Sequence, residues 1–193
     1  MLWQVMQDSA AGYDGSQRSL SGLSGGDGEK YTQMLSSGKM MCGTYLNDAI
    51  ATALKVSECN ACMKRIVAAP TAGSCGVIPA VLIPYRKEYP DTPEEEMLHA
   101  LYVTGGFGNI IAERASVSGA EAGCQAEIGA ASAMAAAALV YLRGGSPEAC
   151  GNACAMALKN LLGLVCDPVA GLVEVPCVKR NVVGVVNAIS CAN

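Results

Sequence analysis

Three cysteines sit in three separate settings that contain glycine or proline: Cys124 in AEAGCQAE, Cys166 in LVCDPVAG and Cys177 in VEVPCVKR. Thiolates select soft metals and iron–sulfur clusters. Three thiolates with no fourth donor suit a cubane cluster in which one iron keeps an open position. Such an iron can act as a Lewis acid on a substrate oxygen. The spacing of the three is unspecific and fits no CxxC-type regular pattern. Small or turn-forming neighbours let backbone approach a bound group, and turn N–H groups can then hydrogen-bond cluster sulfur. The plainer reading, that a buried cysteine behaves as a small hydrophobe, holds for most of the ten cysteines.

Two polar loops accompany them. Pro70-Thr71-Ala72-Gly73-Ser74 precedes a helix start, where hydroxyls and exposed N–H groups can hold an anion such as a carboxylate. The alternative is an ordinary capped turn. Ser116-Val117-Ser118-Gly119, just before Cys124, is open to the same two readings. Lys179 and Arg180 follow Cys177 and can counter the charge of a thiolate-bound cluster, or lie on a solvated face. Cys59 and Cys62 form a CxxC, but no second Cys or His pair completes a zinc site. Their i, i+3 spacing puts both on one helix face, which reads as packing. Cys75 is the one cysteine to test as a fourth donor. Cys150 and Cys154 read as core, while Cys42 and Cys191 are uninformative. His99, the only histidine, sits in an amphipathic helix and reads as structural or surface. The methionines, Met34, Met40 and Met41 among them, read as gap-filling core or surface.

The elements that must position these residues are helices. Residues 1–28 carry six glycines from Gly12 to Gly28 and read mainly as loop. A short helix is expected from about Glu29 to Ser36, and another from Thr44 with Leu46, Ile50, Ala53 and Leu54 in one stripe. Pro70–Gly76 reads as loop, followed by an apolar segment from Val77 that stops near Pro84. Thr92-Pro93-Glu94-Glu95 predicts a capped helix start, with an end at Gly105-Gly106. An alanine-rich helix should run from about Gln125 to Arg143, and Ser146-Pro147-Glu148 should start another with Cys150, Cys154, Ala157 and Leu161 inward. Val182 to Val186 is the nearest candidate strand, and it is short. The expected fold is all-α: one helical domain over residues 1–193, with glycine-rich loops forming the site.

Composition sets the outer limits. A chain of 193 residues suffices for one domain with a real core. Hydrophobic residues make up 51% and aromatic residues only 5%, so helices must approach closely through Ala, Val, Leu, Met and Cys. A net charge of −4 with no Lys/Arg cluster argues against a nucleic-acid partner. The longest apolar stretch, Ile128 to Leu142, is shorter than the roughly 20 residues that span a bilayer. No signal-like segment opens the chain, so a cytoplasmic protein with reduced thiols and no membrane association is expected.

The segments AAPTAGSCGVIPAVL (Ala68–Leu82), ASVSGAEAGCQAEIGAASAMAAAAL (Ala115–Leu139) and LKNLLGLVCDPVAGLVEVPCVKRN (Leu158–Asn181) resemble the α chain of the iron–sulfur-dependent L-serine dehydratases. Trp3–Gln7 and Leu23–Asp27 extend the similarity over nearly the whole chain. The resemblance implies a lyase that converts L-serine to pyruvate and ammonia without pyridoxal phosphate. It implies a [4Fe–4S] cluster on Cys124, Cys166 and Cys177, and substrate binding by Thr71, Gly73, Ser74, Ser116, Ser118 and Gly119. Asn60, Asn160 and Asp167 lie inside the matching motifs and take supporting roles. A Ser-Ser-His-Thr segment that the family carries in a β domain or β chain is missing from this sequence. The resemblance therefore implies a β-chain partner that completes the site and supplies the base, and it is compatible with a homo-oligomer. Family α chains also begin earlier and continue further, so the chain reads as truncated at both ends. Two alternatives stay open: a related cluster-dependent L-cysteine desulfidase, or an inactive subunit fragment.

Overall fold

The computed structural model describes residues 1–172 and 174–193. Its helices are α1 (Leu2–Ala11), α2 (Asp27–Leu35), α3 (Thr44–Ala61), α4 (Val77–Glu88), α5 (Glu94–Arg114), the single-turn α6 (Gly119–Ala122), α7 (Cys124–Leu142), α8 (Pro147–Asn160) and α9 (Val175–Ala192). A 3₁₀ turn at Ala72–Ser74 lies between α3 and α4. Among the described residues there is no strand, only one isolated bridge between Val169 and Leu172. The all-α expectation holds, and Val182–Val186 is helical within α9.

The molecule is organised around α7. Every residue from Ile128 to Val140 is buried, so this helix has no polar face. It packs against α4, α5, α8 and α9 at once. Alanines at 130, 131, 133 and 135–138 make that possible, because a methyl side chain lets four neighbours approach one axis. Starting at Cys124, the helix is long and apolar enough to cross a membrane by composition alone, but it forms the centre of this fold. Gly184 of α9 supplies one close crossing: a Cβ there would lie 2.9 Å from Ile128 Cγ2 and 3.1 Å from Val77 Cγ2.

Local signals set some boundaries and packing sets others. Ser146 caps α8 as its sequence predicts, its hydroxyl accepting from Ala149 N at 3.1 Å, with Pro147 in the first turn. By contrast, α5 runs through Gly105-Gly106 to Arg114, because both glycines face outward while Thr104 and Gly108 pack inward. Two interior glycines cost about 1 kcal/mol each, and packing on α7 outweighs that. Thr92 does not cap α5. Pro93 is the N-cap, and Glu94–Glu96 fill the first turn instead. Helix α4 likewise passes through Pro84, which is buried, and ends at Glu88. Within residues 1–28 the loop reading needs correction for Leu2–Ala11, where Trp3, Met6 and Ser9 put one face into the core. Glycines downstream of Ala11 hide that stripe in a composition count.

Candidate active site

The site lies at the N-terminal end of α7, where backbone chemistry forces close contact. Gly123 has φ +75°, a conformation that favours glycine. A Cβ there would meet Leu164 O, Cys166 N and Val165 Cα at 3.2–3.3 Å. The loop after α8 therefore lies directly on the start of α7. Two hydrogen bonds hold it: Gln125 N donates to Leu164 O at 2.7 Å, and Gly163 N donates to Gln125 Oε1 at 2.9 Å. This docking brings exposed Cys166 beside buried Cys124, the first residue of α7.

Cys177 enters from the first turn of α9, half-buried. One turn later, Arg180 reaches back across the site. Its Nη1 donates to Cys124 Sγ at 2.9 Å and to Val165 O at 2.8 Å, and its guanidinium pairs with Asp167. One cation thus touches Cys124 and both residues flanking Cys166, while sharing a helix turn with Cys177. The side chain is only 13% exposed, so the pairing with Asp167 is shielded from solvent on one side. Lys179, its neighbour, points elsewhere and pairs with Asp27 of α2.

The three thiols feel one another. Burial pushes the Cys177 thiol up to about 12, helped by the charges of Cys124, Glu127 and Cys166. Burial also raises Cys124, against the opposing pull of Arg180. Among the described residues no three His, Cys, Asp or Glu side chains close on a single metal ion. A cluster of several irons is wider than one ion, so its sulfur ligands sit correspondingly further apart. Three soft donors from three elements, a shielded guanidinium and close backbone make a donor set that fits such a cluster.

The 71–74 loop meets the same end of α7. Thr71 and Ser74 form a reciprocal capping box around the 3₁₀ turn, with their hydroxyls 3.1 Å apart. Thr71 Oγ1 also donates to Glu127 Oε1. Ser74 is fully buried, so its hydroxyl braces the turn from inside. Asn60 Nδ2 donates to Ala72 O at 3.0 Å. Fully buried Asn181 ties this loop to α9: its Nδ2 donates to Gly73 O and to Cys177 O at 2.7 Å each, and its Oδ1 accepts from Gly76 N at 2.9 Å. In the second loop, Ser116 Oγ donates to Glu121, Ser118 N donates to Ser116 Oγ at 3.0 Å, and Gly119 lies against Glu127. Beside Cys177, Asn181 and Gly73 there is a cavity of about 230 Å³ that Ser57 also lines. The buried Ser57 hydroxyl has no hydrogen-bond partner among the described residues.

The remaining sequence candidates stand apart. Cys75 is buried with its Sγ toward Val56 O at 3.9 Å, and burial holds its thiol at about 12. Cys59 donates to Ser9 O at 3.5 Å, and Cys62 ends α3. Cys150 and Cys154 lie in the core. His99 is half-exposed on α5, 3.9 Å from Glu95. Asn160 bonds Asn187 of α9, two turns beyond Arg180. Sequence reasoning did not single out Glu127, Asn181 or Ser57. The available signal was Glu127 one turn beyond Cys124 on the same helix, with a glycine in each polar loop to admit it.

The family model described as Serine dehydratase alpha chain matches residues 1–193. The chain is 51% identical over 175 residues to the probable L-serine dehydratase, alpha chain, of Bacillus subtilis (strain 168), covering 91% of this chain and 58% of the relative. It is 48% identical over 157 residues to the L-serine dehydratase, alpha chain, of Peptoniphilus asaccharolyticus, covering 81% and 53% respectively. It is 49% identical over 140 residues to L-serine dehydratase TdcG of Escherichia coli (strain K12), covering 72% and 31%. The chain thus spans somewhat more than half the length of the first two relatives. With the match running from end to end, the chain belongs to the serine dehydratase alpha chain family.

Proposed function

We propose that this chain is the α subunit of an L-serine dehydratase, a lyase that eliminates water from L-serine and, after hydrolysis of the resulting imine, leaves pyruvate and ammonia. The observation that carries the proposal is Arg180, whose guanidinium joins the three elements bearing Cys124, Cys166 and Cys177. Those three cysteines would hold a [4Fe–4S] cluster. When bound, that cluster supplies a Lewis-acidic iron for the departing hydroxyl.

The chain's own residues orient the substrate. The Thr71–Ser74 turn, held by Asn60 and Asn181, receives the carboxylate on its N–H groups. Ser116, Ser118 and Gly119 form the opposite wall. Asn181 couples the Cys177 carbonyl to the Gly73 carbonyl, so ligand and substrate loop keep a fixed separation. Loss of the Cα proton with the hydroxyl gives an enamine, which tautomerises to an imine that water hydrolyses to pyruvate and ammonia. The base for the Cα proton comes from a β chain, because His99 lies on exposed α5, outside this site. The cytoplasm, with its reducing poise, suits three free thiolates.

The test is anaerobic iron and sulfide reconstitution, then iron analysis and a pyruvate assay on L-serine with and without β chain. We expect visible cluster absorption and pyruvate formation only when the β chain is added. A cluster that survives combined Cys→Ser substitution at 124, 166 and 177 would overturn the assignment.

A further inference from the structure

We propose that Glu127 receives the α-ammonium group of the amino-acid substrate, and so selects an amino acid over the corresponding hydroxy acid. This rests on the dehydratase reading above and names a substrate contact that reading does not assign.

Both polar loops close on this one carboxylate. A Cβ at Gly73 would lie 2.6 Å from Glu127 Oε1, and a Cβ at Gly119 would lie 2.7 Å from Oε2. Each loop therefore meets the carboxylate at a glycine, and a larger residue there would displace the Glu127 head. Oε1 accepts from the Thr71 hydroxyl. Oε2 takes no hydrogen bond among the described residues, and none of the ion pairs there includes Glu127: Arg180 is taken by Asp167 and Lys179 by Asp27. The carboxylate is partly buried in the first turn of α7, one turn beyond Cys124. A partly desolvated carboxylate with an open oxygen calls for a cation. The nearby cavity lined by Gly73, Cys177, Asn181 and the unpartnered Ser57 hydroxyl has room for a small polar molecule.

L-serine brings one cation, its ammonium. With the carboxylate on the Thr71–Ser74 turn and the hydroxyl toward the cysteines, the ammonium falls to the group between the two loops. L-glycerate has the same carboxylate and β-hydroxyl but a neutral hydroxyl in place of the ammonium. It is therefore the discriminating probe.

The experiment is steady-state turnover of L-serine (KM and kcat) and competitive inhibition by L-glycerate (Ki) with the anaerobically reconstituted chain and its β chain, for wild type, Glu127→Gln and Glu127→Asp, KM and Ki serving as the binding readouts. Iron content and helical circular dichroism are checked on each. Truncating one partner of a desolvated charge pair costs enough to weaken L-serine binding by about 30- to 100-fold in Glu127→Gln. L-glycerate binding and iron content should stay within about threefold, and Glu127→Asp should recover part of the loss. Equal weakening of both ligands would make Glu127 a loop strut and overturn the assignment. Unchanged L-serine binding with a collapsed kcat would make it a proton-transfer group and also overturn it. Wild-type protein that turns over no L-serine would overturn the dehydratase reading and this inference with it.

Discussion

Arg180 makes four separate connections within a few ångströms, and three of them are to different cysteine-bearing elements. Its Nη1 bonds Cys124 Sγ and Val165 O, its guanidinium pairs with Asp167, and its backbone shares a turn with Cys177. Lysine would keep the charge but lose the planar fork that reaches several partners at once. Arg180→Gln should therefore free the 161–172 loop and lower iron bound per chain after reconstitution at least severalfold. Limited proteolysis of the metal-free protein should show faster cleavage in that loop, independent of any cluster. Unchanged cleavage would mean that Gly123 and Gln125 suffice to dock it. The cysteines could be singled out in the sequence because the segments around them resemble those of the family, whereas an adjacent glycine is shared by Cys42, Cys75 and Cys150. Glu127 and Asn181 could not. A single polar residue in a helical pattern looks alike whether it faces water or joins two loops, and the loop partners of these two lie 56 and 108 positions away.

At the level of elements, what sequence revealed was local chemistry and what it concealed was tertiary. The Ser146-Pro147 start of α8 needs only its own four residues. The outward glycines of α5 and the buried Pro84 of α4 defy their own propensities because α7 compensates through packing. The same reliance on close approach makes small residues irreplaceable at helix crossings. Gly184→Val would drive a branched side chain into Ile128 and Val77, whose methyl carbons lie within about 3 Å of the new Cβ position. Overpacking of this kind costs about 1–3 kcal/mol, which in a chain of this size is a Tm lower by roughly 2–12 °C. Thermal melting followed by circular dichroism measures it. A Tm equal to wild type would show that α9 can shift outward without loss.

Across the whole molecule, α2 is tied to α9 by charge. Asp27 bonds Lys179 and also pairs with Lys30 at 3.3 Å. The hydrogen bond from Lys179, more than any other influence, holds the Asp27 carboxyl below its ordinary value. A carboxyl depressed in the folded state adds stability above its unfolded pKa of about 4, and that contribution fades as pH falls through the folded value. The side chain is 39% exposed, so solvent screens the pair to about 0.5 kcal/mol. Asp27→Asn should thus melt a degree or two below wild type at pH 7, and the gap should close as pH falls below the ordinary carboxylate range. A gap that persists in acid would assign the loss to α2 packing instead of charge.

The burial of α7 from Ile128 to Val140 bears on how the site can move. Residues fixed to that helix, Cys124 and Glu127 among them, share the rigidity of the most enclosed part of the protein, where exposure of the backbone demands unfolding of everything around it. Cys166 sits on an exposed loop secured by a handful of hydrogen bonds, which can open and reclose while the rest stays folded. Anything bound between them has one wall that keeps time with global stability and one that breathes on its own, so entry and escape are set from the Cys166 side alone.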